Sequence, residues 1–512
     1  MPGGEIQLVA LGAHDLYLSD NPQISFFKAV YKRYTYFAQE LINLQDNDNS
    51  NNTFSSFGES KTFKFSIPRN GDLLKEIYLE FTLPAIYSSD DQQFQWIRRI
   101  GEYLIREARI IGADSRVYQR ISGEYLHIYA ETHLPAAKKP VYYRMTGNIP
   151  ELYDPANAAS NNTNGFYPAR PLPTNGGTTG IPSIRQTRIF ICIPFWFSTH
   201  PGTALPLISL QKMEMRLEVD VRPLNEIYTV LDTNPQSSTF QTRIRPVTSD
   251  QYLSVFTNEA IGSALPRTVM QAWGNYMFLE REERKRFAQT EQKYLMHQYQ
   301  YYTNNKSFGV DGSGTFDIDL KSVNLPITQF FFMVRRADNE LTNQWSNYTS
   351  WEFVGDKLIN PLYTANFISQ YNNNFIITDF NNVSQAYNTP DILSTAELKL
   401  NGNSRFHETP VEFFDLFRDY YNLFGSAPDT CRGIYGYSFA LDNGKFQPSG
   451  TCNFSMIGKK DLLIKFKNLT QNATRDTSKG LPFNNSYSVI LIADNINFFY
   501  VMGGLADVEF SN

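Results

Sequence analysis

Short runs in which apolar and polar residues alternate with period two recur along the whole chain. Lys61-Thr-Phe-Lys-Phe-Ser-Ile67 puts Phe63, Phe65 and Ile67 on one side and predicts a strand with one wet face. Leu74 to Leu83 reads as another strand, stopped by Pro84. Met213, Met215, Leu217, Val219 and Val221 share one face of a later run, and Thr315-Phe-Asp-Ile-Asp-Leu320 alternates in the same way. Two runs are almost wholly apolar, Ile189 to Phe197 and Gln329-Phe-Phe-Phe-Met-Val334, and these predict buried strands.

One device is written twice. Ala108-Arg-Ile-Ile-Gly-Ala-Asp-Ser-Arg-Val117 reads as a strand and a tight turn, and Ile121 to Glu131 then reads as a short amphipathic helix. Glu397-Leu-Lys-Leu-Asn-Gly-Asn-Ser-Arg-Phe406 matches the first copy through Ser115-Arg116 and Ser404-Arg405, and a second helix-like run follows over 411–424. Two copies of one device imply two copies of one domain. Each half offers about eight short strands, one internal helix and two long loops, the profile of an eight-stranded two-sheet sandwich, or jelly roll. The predicted fold is therefore all-β, with two consecutive jelly rolls, short internal helices and long outer loops.

Turn and breaker residues set the expected boundaries. Residues 1–23 read as an arm whose short apolar runs need a neighbour to cover them. The first jelly roll is expected over 24–224, with a core beginning at Ile24 to Tyr31. A connector of mixed character follows over 225–264, and the second jelly roll over 265–512. Loops are expected at 146–183 and 337–393, and Arg281-Glu-Glu-Arg-Lys-Arg286 reads as a solvated surface turn.

Composition narrows the function classes. The 512 residues are too many for one core and suit two large domains. Abundant aromatics, 39 Phe and 31 Tyr, favour strands and a sandwich core. A net charge of −5 without a basic stripe argues against direct binding of nucleic acid. The three cysteines, Cys192, Cys431 and Cys452, form no Cys-x-x-Cys, so neither a disulfide scaffold nor a zinc site is expected, though Cys431 and Cys452 could approach each other in space. The first residues show no charged-then-apolar leader, and the longest apolar run, nine residues with a proline, is too short to span a bilayer.

Candidate chemistry is sparse. The six histidines, His14, His127, His133, His200, His297 and His407, include no His-Glu-x-x-His, and no metal, cofactor or catalytic site is expected. The Gly176-Gly-Thr-Thr-Gly180 loop lacks the lysine and helix of a phosphate loop, and Gly312-Ser-Gly314 lacks the spacing of a nucleophile elbow. Asn-x-Ser/Thr sequons are frequent. Asn161, Asn305, Asn347 and Asn382 fall in predicted outer loops and are the better glycosylation candidates; Asn468, Asn472 and Asn484 are weaker, and Asn453 is expected to be buried.

The ordered motifs then carry a resemblance. Gly3-Gly4-x-x-Gln7-Leu-Val-Ala, Asn21-Pro-Gln-Ile-x-Phe-Phe-Lys28, Val30-Tyr-Lys-Arg33, Pro194-Phe-Trp-Phe197, Ala204-Leu-Pro-Leu-Ile-x-Leu-Gln211, Asn401-Gly-Asn-x-Arg-Phe406 and Gln447-Pro-Ser-Gly-Thr-Cys-Asn-Phe-Ser455 resemble the major capsid proteins of nucleocytoplasmic large DNA viruses. The resemblance implies a non-enzymatic double jelly roll that forms homotrimers, pseudo-hexagonal capsomers that tile an icosahedral shell. It implies contacts with neighbouring capsomers and with minor capsid and penton proteins, an indirect relation to the internal viral membrane, and assembly in the host cytoplasm into the virion. The competing reading is a carbohydrate-binding or carbohydrate-active β-sandwich, since aromatic-rich jelly rolls also bind sugars.

Overall fold

The computed structural model describes residues 2–44, 57–88, 92–158, 167–171, 180–232, 236, 243–257, 270–307, 314–354, 357–359, 391–417, 432–443, 446–467 and 486–510. Its strands, in chain order, are β1 (Phe37–Asn43), β2 (Lys61–Ile67), β3 (Leu73–Leu83), β4 (Gln92–Trp96), β5 (Ile105–Gly112), β6 (Val117–Ser122), β7 (Thr187–Cys192), β8 (Met215–Val221), β9 (Tyr228–Asp232), β10 (Arg243–Ile244) and β11 (Met270–Leu279). They continue with β12 (Gln292–Ser307), β13 (Gly314–Asp319), β14 (Pro326–Arg336), β15 (Glu352–Val354), β16 (Lys357–Ile359), β17 (Leu393–Leu400), β18 (Asn403–Pro410), β19 (Ile434–Ser438), β20 (Cys452–Asn453), β21 (Lys460–Phe466), β22 (Ser486–Met502) and β23 (Leu505–Val508).

Two sandwiches result. The first packs the sheet β2-β8-β5-β6 against β1-β11-β3-β7; the second packs β13-β21-β17-β18 against β12-β22-β14-β19, to which β20 and β23 attach. Every ladder in them is antiparallel, so period-two sequence becomes one buried and one wet face. In β2 the buried residues are Phe63, Phe65 and Ile67, opposite Val219, Leu217 and Met215 of β8. The all-apolar run in β14 has a different cause. Phe330, Phe332 and Val334 enter the core of the second sandwich, while Phe331 and Met333 face the other way and join the core of the first. Its neighbour β22 is split likewise, with Val489 and Leu491 on one side and Ile490 and Ile492 on the other. One sheet is thus the middle layer between two cores, and most residues of β14 and β22 are buried on both faces.

The repeated device is present in both halves with one addition: each turn is followed by a second strand before the helix. β5 and β6 form the first hairpin, and Gly123–Thr132 the helix, capped by Ser122 accepting from the Tyr125 amide at 3.2 Å. β17 and β18 form the second, followed by a helical turn within 411–417; residues 418–424 lie outside the described part. The turns differ despite the matching letters. Asn401 and Gly402 both have positive φ, 51° and 83°, the two-residue turn that an Asn-Gly pair favours. In the first copy the positive φ sits at Ser115, 63°, inside a longer loop between Ile111 and Val117.

Several expected boundaries move. β11, assigned from sequence to the second jelly roll, lies between β1 and β3 and completes the first. The described residues of the expected 225–264 connector are built into the fold: β9, β10 and β4 make a third small sheet, and Ile227, Tyr228, Val230, Leu253 and Phe256 are core residues. Within the first expected loop, Pro150–Tyr153 is a short helix with proline at its start, where its missing N–H is harmless. Arg281–Gln289 is a helix rather than a turn, built from strong helix formers and largely exposed, with Phe287 packed against Leu73, Ala204 and Met277. Finally, Ile24 to Tyr31 belongs to no core: the exposed arm runs on to Tyr36.

Candidate functional site: the seam between the sandwiches and the arm

The middle sheet meets the first sandwich along β6 and the helix Gly123–Thr132. Hydrogen bonds cross this seam in both directions. Gln119 Nε2 donates to the His297 carbonyl at 2.7 Å, and Gln298 Nε2 donates to the Tyr118 carbonyl at 2.8 Å. The Tyr118 hydroxyl donates to the Ala506 carbonyl at 2.9 Å, and the Ser122 amide donates to the Tyr301 hydroxyl at 3.1 Å. The Tyr125 and Tyr299 rings lie 3.8 Å apart between centroids, and Phe499 packs on both Tyr118 and Trp196. Arg116, from the first repeated turn, pairs with Asp507 of β23.

A buried ionic cluster closes one end of the seam. Glu124 lies 3.2 Å from Arg222 and 3.4 Å from Arg335, one arginine from each half of the chain. Arg222 also meets Glu226 at 3.3 Å, and both guanidinium groups lie over the Trp345 ring. Burial alone would push the Glu124 carboxyl up; the two arginines outweigh it and hold the group below its ordinary value. The Tyr103 hydroxyl touches both His127 Nδ1, at 2.7 Å, and the Tyr348 hydroxyl, at 2.8 Å, and Arg335 donates to Tyr348 at 3.3 Å. Burial, reinforced by Arg99 and Arg335, pushes His127 well below its ordinary value, so it stays neutral.

A second cluster lies within the first half. Arg99, held at φ 54°, bonds both oxygens of Glu102 at 3.2 Å and also pairs with Glu131. Lys139 reaches Glu131 at 3.1 Å and Tyr143 donates to it at 2.6 Å. Burial raises Glu102 to about 7, whereas Arg99 and its neighbours overcome burial and drive Glu131 far down. Two carboxyls with separated acidities resemble an acid/base pair. Here Arg99, Glu102, Glu131 and Lys139 are all buried, and the cluster ties the turn at 99–103 to two helices. No residue pattern in the sequence announced it. The signal for the seam was faint, a doubled arginine, Arg335-Arg336, ending an apolar strand.

The structure scatters the histidines. His14 is exposed in the arm, His133 caps the helix that carries His127, His200 stacks on Phe446, His297 pairs with Asp494 at 2.8 Å, and His407 with Glu397 at 3.1 Å. Among the described residues no group of three potential metal ligands comes together. No helix among them is long and apolar enough to cross a membrane. None of the five tryptophans is exposed.

Asn305 is exposed near the end of β12. Asn347 is fully buried, and its amide nitrogen donates to Gln344 Oε1 at 2.9 Å and to the Trp351 carbonyl at 2.7 Å. Its expected place in an outer loop is therefore corrected: an amide so enclosed has no room for a sugar. Asn453, expected to be buried, is exposed in β20. Asn161, Asn382, Asn468, Asn472, Asn484, Cys431, Gly312 and the greater part of the Gly176–Gly180 loop lie outside the described residues.

The arm has the opposite character to the seam. Gly3–Val9 and Ala13–Ser19 form short helices with no buried residue, and residues 20–36 have neither helix nor strand. Leu18 is 91% exposed, Phe26 87% and Phe27 97%. Apolar exposure on this scale marks an interaction surface. At Phe37 the arm becomes β1, the outer strand of its sheet, whose Phe37 and Leu41 are still exposed.

Comparison with known proteins matches both halves of the chain. Residues 25–280 match the family described as major capsid protein N-terminus, and residues 283–507 match large eukaryotic DNA virus major capsid protein. The junction of the two matches falls just after β11, where the first sandwich is complete. The chain is 29% identical to the major capsid protein of Phaeocystis pouchetii virus and 27% identical to that of Paramecium bursaria Chlorella virus 1, each alignment covering 100% of both chains. Among solved structures it resembles a chain of the quasi-atomic PBCV-1 virus capsid, with a TM-score of 0.64 at 23% identity over 95% of this chain and 100% of that one. It also resembles the Faustovirus major capsid protein, with a TM-score of 0.61 at 13% identity over 96% and 94%.

Proposed function

The chain belongs to the family of major capsid proteins of large eukaryotic DNA viruses, and from that premise we propose that it works as a homotrimer, a pseudo-hexagonal capsomer that tiles the shell. The family is structural and not enzymatic, and its members assemble into the capsid of the virion. The observation that carries the trimer reading is the middle sheet. Two sandwiches that share a buried layer form one rigid block with two similar corners, and three such blocks present six corners in a ring. An obligate assembly of this kind needs large, core-like contacts and closed symmetry.

Several finer points follow as proposals. The arm faces the shell interior, where minor capsid and penton proteins are its neighbours, and the internal membrane is reached through that layer. Assembly takes place in the host cytoplasm. The folding units are an arm to Tyr36, a first sandwich from β1 to β11 and a second from β12 onward. Of the four better candidates, Asn305 is the one among the described residues that a glycan could reach.

Light scattering on the purified chain tests the trimer. The expected mass is three times 58.8 kDa. A monomer that stays monomeric at every concentration tried overturns the reading.

A further inference from the structure

The repeated device has a covered copy and an open copy. In the first sandwich the hairpin β5-β6, its helix and the segment after β7 make one corner, and that corner is enclosed. Tyr118, Gln119 and Ile121 of β6 are buried, as is Trp196 just after β7. What encloses them is the outer face of the second sandwich's sheet, along β12 and β22. Gln119 meets the His297 carbonyl, the Tyr125 ring lies on Tyr299, and Trp196 packs on Phe499.

The second sandwich has the same corner, made of β17-β18, the helical turn within 411–417 and the segment after β19. Phe406 ties its parts together, with its ring 4.9 Å from Phe414 and 4.8 Å from Tyr437. This copy is open. Six of the eight β18 residues are exposed, so is Phe413, and Leu441 just after β19 is 85% exposed. By the example of the first copy, it fits the outer face of a sheet in the place of β12-β22. In the first sandwich that place belongs to β1-β11. Ile42 and Leu44 turn toward the core there, so alternation turns Phe37, Gln39, Leu41 and Asn43 outward. Phe37 and Leu41 stand beside Leu279 and Asn275 of β11, and Leu41 is 54% exposed.

The chain thus carries an open corner and an open face, and its own seam shows how such a corner sits on such a face. The step has one direction, from the first sandwich to the second. Taken once more, it leads from the second sandwich to the first sandwich of another copy. We propose that β18, Phe413 and Leu441 dock on the outer face of β1-β11 of a second copy, repeating between chains the seam built within each chain. Such a contact is heterologous, joining two different patches. Its closure rests on the trimer reading: three contacts between chains alternate with three internal seams around one ring.

Chromatography with light scattering on Leu41→Asp and Leu441→Asp tests it, because a carboxylate enclosed in this contact would have no partner. Each variant is expected to raise the concentration needed for trimers about a hundredfold or more. Both positions are exposed in the single chain, so each variant should still unfold cooperatively in urea as a monomer. The direction of the contact gives a second readout. Leu41→Asp spoils only the receiving face and Leu441→Asp only the docking corner. An equal mixture therefore keeps one good contact, and is expected to form mixed dimers that grow no further. Trimers in either variant, with a trimeric parent, overturn the contact and leave the trimer standing. A mixture of the folded variants that shows no dimer, or regains full trimers, also overturns it. A parent that never associates overturns both.

Discussion

Glu124→Gln is the sharpest test of the seam. The change keeps the side chain's shape and removes its charge, leaving Arg222 and Arg335 facing a neutral amide. Both arginine side chains are buried, and among the described residues Glu124 is the one carboxylate that touches an arginine of each half at less than 3.5 Å. Breaking one partner out of a buried ionic group costs about 3–5 kcal/mol. The lower end applies here, because Arg222 keeps Glu226 at 3.3 Å and Arg335 keeps Glu340 at 3.7 Å. We therefore expect a loss of about 3 kcal/mol, read from urea unfolding, with faster amide exchange in 117–122 and 292–301. The pH dependence fixes the sign. The folded Glu124 carboxyl lies below its ordinary value of 4.5, so its contribution is full above that pH and is lost as pH falls through the folded value. The gap between parent and variant should close in acid. The double variant Glu124→Met with Arg335→Met should recover part of the loss, since an apolar pair of similar volume can replace a buried ion pair. A loss under about 1 kcal/mol, or a gap that does not change with pH, would refute the ionic account of the seam.

Four further outcomes are expected. Deleting residues 2–36 should leave the unfolding midpoint of the isolated subunit unchanged, because no residue of that stretch is buried; a large fall would mean that the arm supports the sandwich. Glu102→Gln should flatten the pH dependence of stability: burial raises the parent's carboxyl from 4.5 to about 7, so its contribution is present below 4.5 and is lost as pH rises through 7. Gly433→Ala should destabilise strongly, by several kcal/mol, since φ is 89° and the new Cβ would stand 2.4 Å from the Tyr348 carbonyl oxygen, whereas Gly402→Ala, with φ 83° and open space, should cost only about 1–2 kcal/mol by calorimetry. Peptide mass mapping of virion protein should find Asn347 unmodified; a glycan there would contradict its burial.

Much of the architecture was legible because antiparallel sandwiches write themselves as alternation. β2, β3, β8 and β13 were readable from their apolar faces alone. What alternation cannot specify is which sheet a strand joins. β11 looked like the opening of the second domain because it follows the stretch read as a connector, yet its ladder partners lie far back at β1 and β3. The run in β14 was legible as buried but not as doubly buried, since a continuous apolar strand looks the same whichever two layers enclose it. The seam was nearly silent. Glu124, Arg222 and Arg335 are far apart in sequence, and a charged residue reads as surface until something shows it enclosed. The family resemblance supplied function but not these contacts. The arm's boundary failed for the reverse reason: Ile24 to Tyr31 is as apolar as a core strand, and apolarity alone does not say whose core it enters.

The place of β11 in the middle of its sheet carries a consequence for synthesis. β3 leaves the ribosome about 200 residues before β11 does, a wait of roughly 10–40 s at ordinary elongation rates. During that interval the nascent chain has β3 and β7 ready but no strand to lie between β3 and β1, so an unpaired apolar edge stands open. The first half cannot close ahead of its own last strand. A polysome carrying many such chains is therefore crowded with half-built sheets, and chaperone occupancy should drop once residue 279 has emerged.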